Sequence, residues 1–373
     1  MKGLVTDSRP HNDASVDASP RPQPAFAAPT DFAPTESCQQ SGSAKRQPPI
    51  HSLTGIRVAL ILWVVLFHLK PEISALLPFN PLVHFAGAGF LGVDFFFILS
   101  GFVIAYNYAE RLSPFSFKNY CRFLVLRLAR LYPVHLFTLL IVLLLYGAAL
   151  GVGSNLSNPE YYSVSSLFQN LFLVQAWALP TIFSWNAIAW AVSCEWLAYL
   201  VFPLLLMGTT RIRSASLNWL LIVVSLLGMV SVCLGIQSSV SAPPGAGSFG
   251  LARVAVEFPV GCLLYNLYAS GWGKRWRWAV ITPVSWAAVV VASTVLTGHF
   301  MASSSAQEDN VFQLYLLGLT PLFAFAIYAL AQQRGWFAKL FSARWVGAIA
   351  HTSYSIYLTH CIYLIMMRLA ITE

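Results

Sequence analysis

Charge is scarce in this sequence. Only 10% of its 373 residues are Asp, Glu, Lys or Arg, while 57% are hydrophobic. A soluble chain carries about 25% charged residues, so a water-soluble globular enzyme is excluded. Cysteine is also sparse and poorly arranged for chemistry. Cys38, Cys121, Cys194, Cys233, Cys262 and Cys361 form no CxxC pair. Most lie inside apolar segments, so they read as packing residues, not as disulfides or metal ligands, and no metal is expected. There is no GxSxG elbow, no HExxH and no Walker loop, so those hydrolase, zinc-protease and nucleotide-hydrolase sites are absent. No internal repeat of the kind many transporters show is present either.

One sign of charge is in excess, 22 Lys and Arg against 14 Asp and Glu. The basic residues sit in short loops between apolar segments, where the positive-inside rule places them. The expected partner is therefore membrane lipid, and no nucleic acid. Residues 1–50 have no apolar run. Their stretch "DASPRPQPAFAAPTDFAPTESCQQSGSAKRQPP" is rich in Pro, Ala and Ser, with neither a signal-peptide core nor a foldable one. A disordered cytosolic tail is expected over 1–50, followed by one membrane domain over 51–370.

From residue 53 onward, runs of spanning length follow one another, near 53–69, 89–109, 124–150, 184–207, 217–236, 250–270, 278–298, 311–331 and 345–369. A helix needs about 20 residues to cross the hydrocarbon layer. The fold class is an all-α integral membrane bundle of about nine to ten transmembrane helices. A shorter stretch at 165–177, "SSLFQNLFLVQAW", reads as a tenth span, a re-entrant piece or an interfacial helix. Threading the chain with the tail inside and 165–177 not crossing puts Arg111, Lys118, Arg122, Arg211, Arg213, Lys274, Arg275, Arg277, Arg334, Lys339 and Arg344 in inner loops. Lys70, Glu72, Glu160, Glu308 and Asp309 then lie outside. This asymmetry favours nine crossings plus one partial element.

Polar residues left inside the spans are costly, about 2.5–3.5 kcal/mol for a charge at a helix centre, and usually face a cavity or a partner. In "LTGIRVALILWVVLFHL", Arg57 and His68 stand eleven residues apart. That is almost three whole turns, so they share one face, separated by about 16 Å along the axis. Arg57 is expected near the inner surface and His68 in the outer half. The alternative is that Arg57 only snorkels to headgroups and His68 is interfacial.

These residues carry a resemblance. "LTGIRVALILWVVLFHL" resembles the first helix of membrane acyltransferase family 3. "GFLGVDFFFILSGFVIAY", "RLARLYPVHL", "AWAVSCEWLAYLVFPLLL", "ARVAVEFPVGCLLY" and "SYSIYLTH" are similar to its later signatures, in order, over residues 53 to 365. The family usually has ten spanning helices, one more than counted here. The resemblance implies transfer of an acyl group, commonly acetyl, from cytosolic acyl-CoA to a hydroxyl of an outward-facing polysaccharide, lipid-linked sugar or glycoside. It implies an inner (plasma) membrane location, with acyl-CoA as co-substrate and no tightly bound cofactor. Many members carry a fused outer esterase-like domain; with Glu373 directly after the last span, this chain is expected to act alone or with a separate partner.

Several residues fit that chemistry. CoA phosphates need cations at the cytosolic face, and Arg57 is expected there. Arg127 and Arg130, three apart on one helical face, offer forked donors suited to phosphate; ordinary anchoring is their alternative reading. A sugar hydroxyl needs a base, and His68 matches the family's histidine, so it is assigned as general base; a covalent acyl-histidine is the second choice. His360, in the last helix, is expected to line the same cavity. Glu195, beside Trp190, Ser193 and Trp196, needs a partner or a proton. It is expected to pair with Arg57 or to hold an imidazole in its working tautomer, or else to join helices in a buried ion pair. Asp94, among Gly89, Gly92, Ser100 and Gly101, reads as a polar fastener between close-packed helices. Arg253 and Glu257, four apart, are expected to bridge. Asp94, Ser193 and Arg253 remain candidate cavity residues. His84, His135 and His299 read as loop or interface residues. A transporter or flippase that uses intramembrane charges as a path, and a structural or signalling membrane protein, are the competing classes.

The threading is testable. In a cysteine-free variant, single cysteines at positions 304 and 342 replace Ser304 and Ser342. An impermeant thiol reagent applied from outside is expected to label position 304 strongly and position 342 weakly; equal labelling would reverse the assignment.

Overall fold

The computed structural model describes residues 47–77, 81–151, 159–178, 183–239, 249–303 and 316–372. The tail expected at 1–50 lies almost wholly outside these residues, as do Glu308 and Asp309. The described residues form helices and no strand. This follows from the solvent: in hydrocarbon every backbone N–H and C=O needs an internal partner, and a helix supplies one within a single segment.

In chain order the helices are α1 (His51–His68), α2 (Lys70–Leu76), α3 (Pro81–Gly87), α4 (Gly92–Tyr108), α5 (Phe117–Gly151), α6 (Val164–Leu171), α7 (Trp190–Thr209), α8 (Ala215–Ser239), α9 (Gly250–Ser270), α10 (Trp278–Ser303), α11 (Thr320–Ala331), α12 (Gly335–Phe341), α13 (Arg344–Ala350) and α14 (Ser353–Thr372). Among the described residues, six stretches are long and apolar enough to cross a membrane: His51–His68, Pro81–Tyr108, Phe117–Gly151, Ala187–Thr209, Ala215–Gly235 and Trp278–Met301. Helix α9 matches the expected span at 250–270 in length, but it carries Arg253 and Glu257. Of the span expected at 311–331, Leu317–Ala331 is described, as a shorter apolar helix.

One expectation changes, and the favoured reading of 165–177 as a partial element agrees with the structure. The run at 345–369 is not one span, because a turn at His351 and Thr352 separates α13 from α14. Of the stretch at 165–177, only α6 is helical, and its eight residues reach about 12 Å, too short to cross. After α6 the chain turns at Leu173, whose φ is +58°. Leu173, Gln175 and Ala176 are then buried against α7. There the Ser193 hydroxyl donates to Leu173 O (2.8 Å) and accepts from Ala176 N–H (3.2 Å).

Helix α4 is the central post. In the span containing it, 89% of the most apolar window is buried, against 17% for Phe117–Gly151. The latter helix turns Val125, Leu126, Phe137, Leu140 and Leu144 outward, as a lipid-facing wall would. On one flank of α4, Phe95, Ile98 and Phe102 pack with α1, α8, α9, α10 and α11. On the other, Val93, Phe97 and Ile104 pack with α5, α7 and α14. Helices α4 and α9 touch backbone to backbone. A Cβ on Gly101 would stand 2.0 Å from Phe258 O, and one on Gly261 2.1 Å from Ile98 O. Small residues at such crossings let helices approach where no hydrophobic force drives them together.

Gly101→Ala and Gly261→Ala are each expected to destabilise the protein by about 1–3 kcal/mol or more, the range for overpacking. A Cβ on Gly228 of α8 would meet nothing within 4 Å, so Gly228→Ala is expected to leave the thermal midpoint in detergent unchanged. Equal midpoints for all three would rule out this crossing as the tight contact.

Candidate active site

A cavity opens among α1, α4, α5, α7 and α14. Arg57, Arg127, Arg130, Glu195, Ser100 and Tyr199 supply its polar wall, and Phe96, Phe97, Ile104, Val192, Tyr354 and Tyr357 are among its apolar and aromatic lining. The sequence places these groups by simple periodicity. Arg127 is half-buried on α5, and Arg130, one turn on, is more exposed and lies toward the side that carries Leu126 and Leu144. Ser100 interrupts an otherwise apolar α4. Glu195 and Tyr199 stand one turn apart on α7.

The cavity is cationic. It holds three guanidinium groups and one carboxylate, Glu195. The Glu195 carboxylate is already engaged: its Oε1 accepts from the Ser100 hydroxyl (2.7 Å) and from the Tyr199 hydroxyl. Arg127 donates to the Tyr108 hydroxyl (2.9 Å) and stacks over that ring at 5.2 Å, yet its Nε is buried without a hydrogen-bond partner. Arg57 Nε is likewise buried and unpartnered, and neither Arg57 nor Arg130 bonds to another described side chain. The cavity thus has more cationic donors than anionic partners.

Asp94 and Arg253 serve a different purpose. Arg253 grips Asp94 in a forked ion pair, Nε–Oδ1 2.9 Å and Nη2–Oδ2 2.7 Å, with both side chains fully buried. The Trp190 ring lies 5.3 Å from the guanidinium. The bridge expected between Arg253 and Glu257 is not made: the buried Glu257 carboxyl oxygens have no hydrogen-bond partner. Spacing at i, i+4 permits a bridge, but a carboxylate on the facing helix offers both its oxygens to one fork and wins. Asp94 and Arg253 thus hold α4 to α9, Ser193 holds the turn after α6 to α7, and neither these three nor His360 lines the cavity. His135 departs from its expected loop or interface place. It is fully buried in α5, with its Nε2 at 2.8 Å from Asn170 O.

His68 lies outside the cavity lining, toward the far end of α1. Its Nδ1 is 2.9 Å from Val64 O. A carbonyl only accepts, so Nδ1 carries the proton and the basic lone pair is on Nε2. The same Nδ1 is 3.3 Å from His360 Nε2. His360 Nδ1 donates in turn to Tyr357 O at 2.6 Å, which makes its Nε2 the acceptor. The group that faces the His68 imidazole is therefore His360, and the hydrogen bonds of Glu195 go to hydroxyls. Sequence reasoning did not single out Tyr199, Tyr354, Tyr357 or Cys361 as site residues. The one-turn spacing from Glu195 marks Tyr199. The others become visible only when α14 is docked.

Comparison with known proteins settles the family. A family model described as an acyltransferase domain matches residues 50–373. The chain belongs to acyltransferase family 3. It is 32% identical over 172 residues to acyltransferase MdmB of Streptomyces mycarofaciens, covering 45% of this chain and 42% of that one. It is 25% identical over 327 residues to peptidoglycan O-acetyltransferase OatA of Listeria monocytogenes, covering 83% and 49%. To O-acetyltransferase OatA of Staphylococcus aureus it is 23% identical over 325 residues, again 83% and 49%. The chain thus spans about half the length of these relatives or less. No solved structure matches. With its long apolar helices, this family 3 member is a multi-pass membrane protein.

In this acyltransferase the Asp94–Arg253 pair is expected to dominate stability. Breaking a buried pair by removing one partner costs about 3–5 kcal/mol, whereas replacing both with apolar residues is far milder. Arg253→Met alone should strongly lower the unfolding midpoint in detergent, and Asp94→Leu combined with Arg253→Met should recover most of the loss. A double variant no better than the single one would argue against the pair.

Proposed function

We propose that the protein is an O-acyltransferase that moves a short acyl group, acetyl by expectation, from cytosolic acyl-CoA to a hydroxyl of a cell-surface or exported carbohydrate. The observation that carries this reading is the cationic cavity, with Arg57 and Arg130 uncompensated beside Arg127. Phosphate groups suit forked guanidinium donors, and CoA carries several. The positive-inside pattern puts the basic loop before α5 on the cytosolic side, and with it the end of α1 that bears Arg57. This reading also places the tail in the cytosol and the chain in the inner (plasma) membrane. The cavity lies at the Arg57 end of α1 and is lined by the three arginines, so this reading assigns it to the phosphate-bearing part of the donor, with the acyl end directed toward His68. A relative named as a peptidoglycan O-acetyltransferase supports a carbohydrate acceptor.

The chemistry assigned to the chain is direct transfer. The acceptor hydroxyl attacks the thioester carbonyl while His68 Nε2 takes its proton. The tetrahedral adduct collapses, the carbon–sulfur bond breaks, and the thiolate leaves and is protonated as CoA. The Val64 carbonyl holds the His68 tautomer, with His360 Nε2 as a second acceptor beside it. Glu195, fixed by Ser100 and Tyr199, stands beside the arginines.

The test is release of CoA thiol from acetyl-CoA by protein in nanodiscs, with a panel of glycan acceptors. His68→Ala is expected to lose transfer by about a hundred- to ten-thousandfold while CoA still binds, because His68 lies outside the cavity. Arg127→Gln with Arg130→Gln should weaken CoA binding about ten- to a hundredfold or more, at about 1.5–3 kcal/mol per charge-assisted contact. Arg57→Ala should raise the apparent KM for donor more than it lowers kcat. Unchanged CoA affinity in the arginine variants, or near-normal transfer by His68→Ala, would overturn the corresponding assignment.

A further inference from the structure

Among the described residues, one group of three His, Cys, Asp or Glu side chains brings a donor atom from each within 4.8 Å of the others: His68, His360 and Cys361. We propose that these three form a site for a thiophilic divalent cation of the zinc type, and that occupancy of the site excludes His68 from acting as a base. The binding half of this statement stands alone; the inhibitory half rests on the acyl-transfer reading above.

The distances carry it. Zinc sits about 2.0–2.1 Å from imidazole nitrogen and about 2.3 Å from thiolate sulfur, in a tetrahedron. Those lengths require nitrogen–nitrogen edges of about 3.3 Å and nitrogen–sulfur edges of about 3.6 Å. The protein has His68 Nδ1 and His360 Nε2 at 3.3 Å, and His360 Nε2 and Cys361 Sγ at 3.5 Å. Two edges are already set, and all three donor atoms lie within 4.8 Å of one another. A fourth position is left for water, as in open zinc sites. One thiolate with two imidazoles selects zinc or copper over magnesium or calcium.

The surroundings fit as well. A ligating histidine usually donates its other N–H to a carbonyl or carboxylate. His360 does this now, from Nδ1 to Tyr357 O at 2.6 Å, so its Nε2 is in the ligand tautomer before any ion arrives. His68 is different. Its Nδ1 proton lies on Val64 O, 2.9 Å away. To ligate through Nδ1, that proton must move to Nε2, which removes the basic lone pair. To ligate through Nε2, the lone pair itself is given to the metal. Either way the base is lost. The balance is simple: the cation binds two neutral imidazoles and one thiolate, and the single proton released is that of the Cys361 thiol. His68 comes from α1 and the other two from α14, 292 residues away for His360, so no CxxC-type spacing announced the site.

Purified protein without a histidine tag, in nanodiscs, is titrated with Co²⁺ and then Zn²⁺. The expected result is one equivalent of Co²⁺, with a thiolate-to-cobalt charge-transfer band that Zn²⁺ displaces and Mg²⁺ does not. Cys361→Ser, nearly isosteric, should lose the band and weaken Zn²⁺ binding at least tenfold; His360→Gln should weaken it similarly. No charge-transfer band in the wild type, or an unchanged band in Cys361→Ser, would overturn the site. Both readings are made without substrate, so they do not depend on whether acyl transfer is detected. In the transfer assay, Zn²⁺ should slow the wild type reversibly by chelator and spare Cys361→Ser. Equal inhibition of both would remove the link between the ion and the base.

Discussion

The bundle is organised around one ion pair. Asp94 on α4 and Arg253 on α9 meet at 2.7 Å with no exposure to solvent. Each charge alone would be expensive in this setting, and the forked contact satisfies both carboxylate oxygens at once. The pair fixes rotation and depth of α4 against α9. Gly101 and Gly261 then allow the backbones to close on each other within a few ångström. With that seam held, the remaining faces of α4 are committed: Phe95, Ile98 and Phe102 to one core, and Val93, Phe97 and Ile104 to the other. Ser100 is left pointing at Glu195.

Set beside that pair, the arginines of the cavity stand out by what they lack. Arg253 has a carboxylate; Arg57 and Arg130 have none. Glu195 does not neutralise them by direct contact, since its hydrogen bonds come from Ser100 and Tyr199. A membrane protein keeps such groups only where water, headgroups or a ligand supply the missing charge. Donors already oriented in a rigid wall need little rearrangement when an anion arrives, which is the setting in which electrostatic stabilisation works best.

Six of the nine expected spans were legible in the sequence, because a run of twenty apolar residues has few other uses. The short element at α6 was legible too, through the charges of the loops that follow it. Arg57 and its distance from His68 followed from helix periodicity alone. The pairings were not legible. Arg253 has Glu257 one turn away, and spacing favours that bridge, but its partner stands 159 residues distant. Glu195 has no feature that separates a hydroxyl partner from an imidazole one. His360 could be placed in the last helix, but not against the far end of the first. Local periodicity says which face a residue shares; only the packing of whole helices says what stands opposite.

Helix α14 is where the two halves of the site meet. Ser353, Tyr354 and Tyr357 line the cationic cavity, while His360, one turn on, faces His68. The helix is pinned along its length: the Tyr354 hydroxyl donates to Leu131 O (2.8 Å), the Tyr357 hydroxyl to Ile188 O (3.0 Å), and Asn186 Nδ2 to Leu358 O (3.0 Å). Tyr357 contributes twice, with its ring as cavity wall and its carbonyl as the acceptor that sets the His360 tautomer. A rotation of α14 by one residue, about 100°, would remove an aromatic wall from the cavity and the imidazole from His68 together. The cationic cavity and the histidine pair are therefore positioned by the same contacts and stand or fall as one assembly.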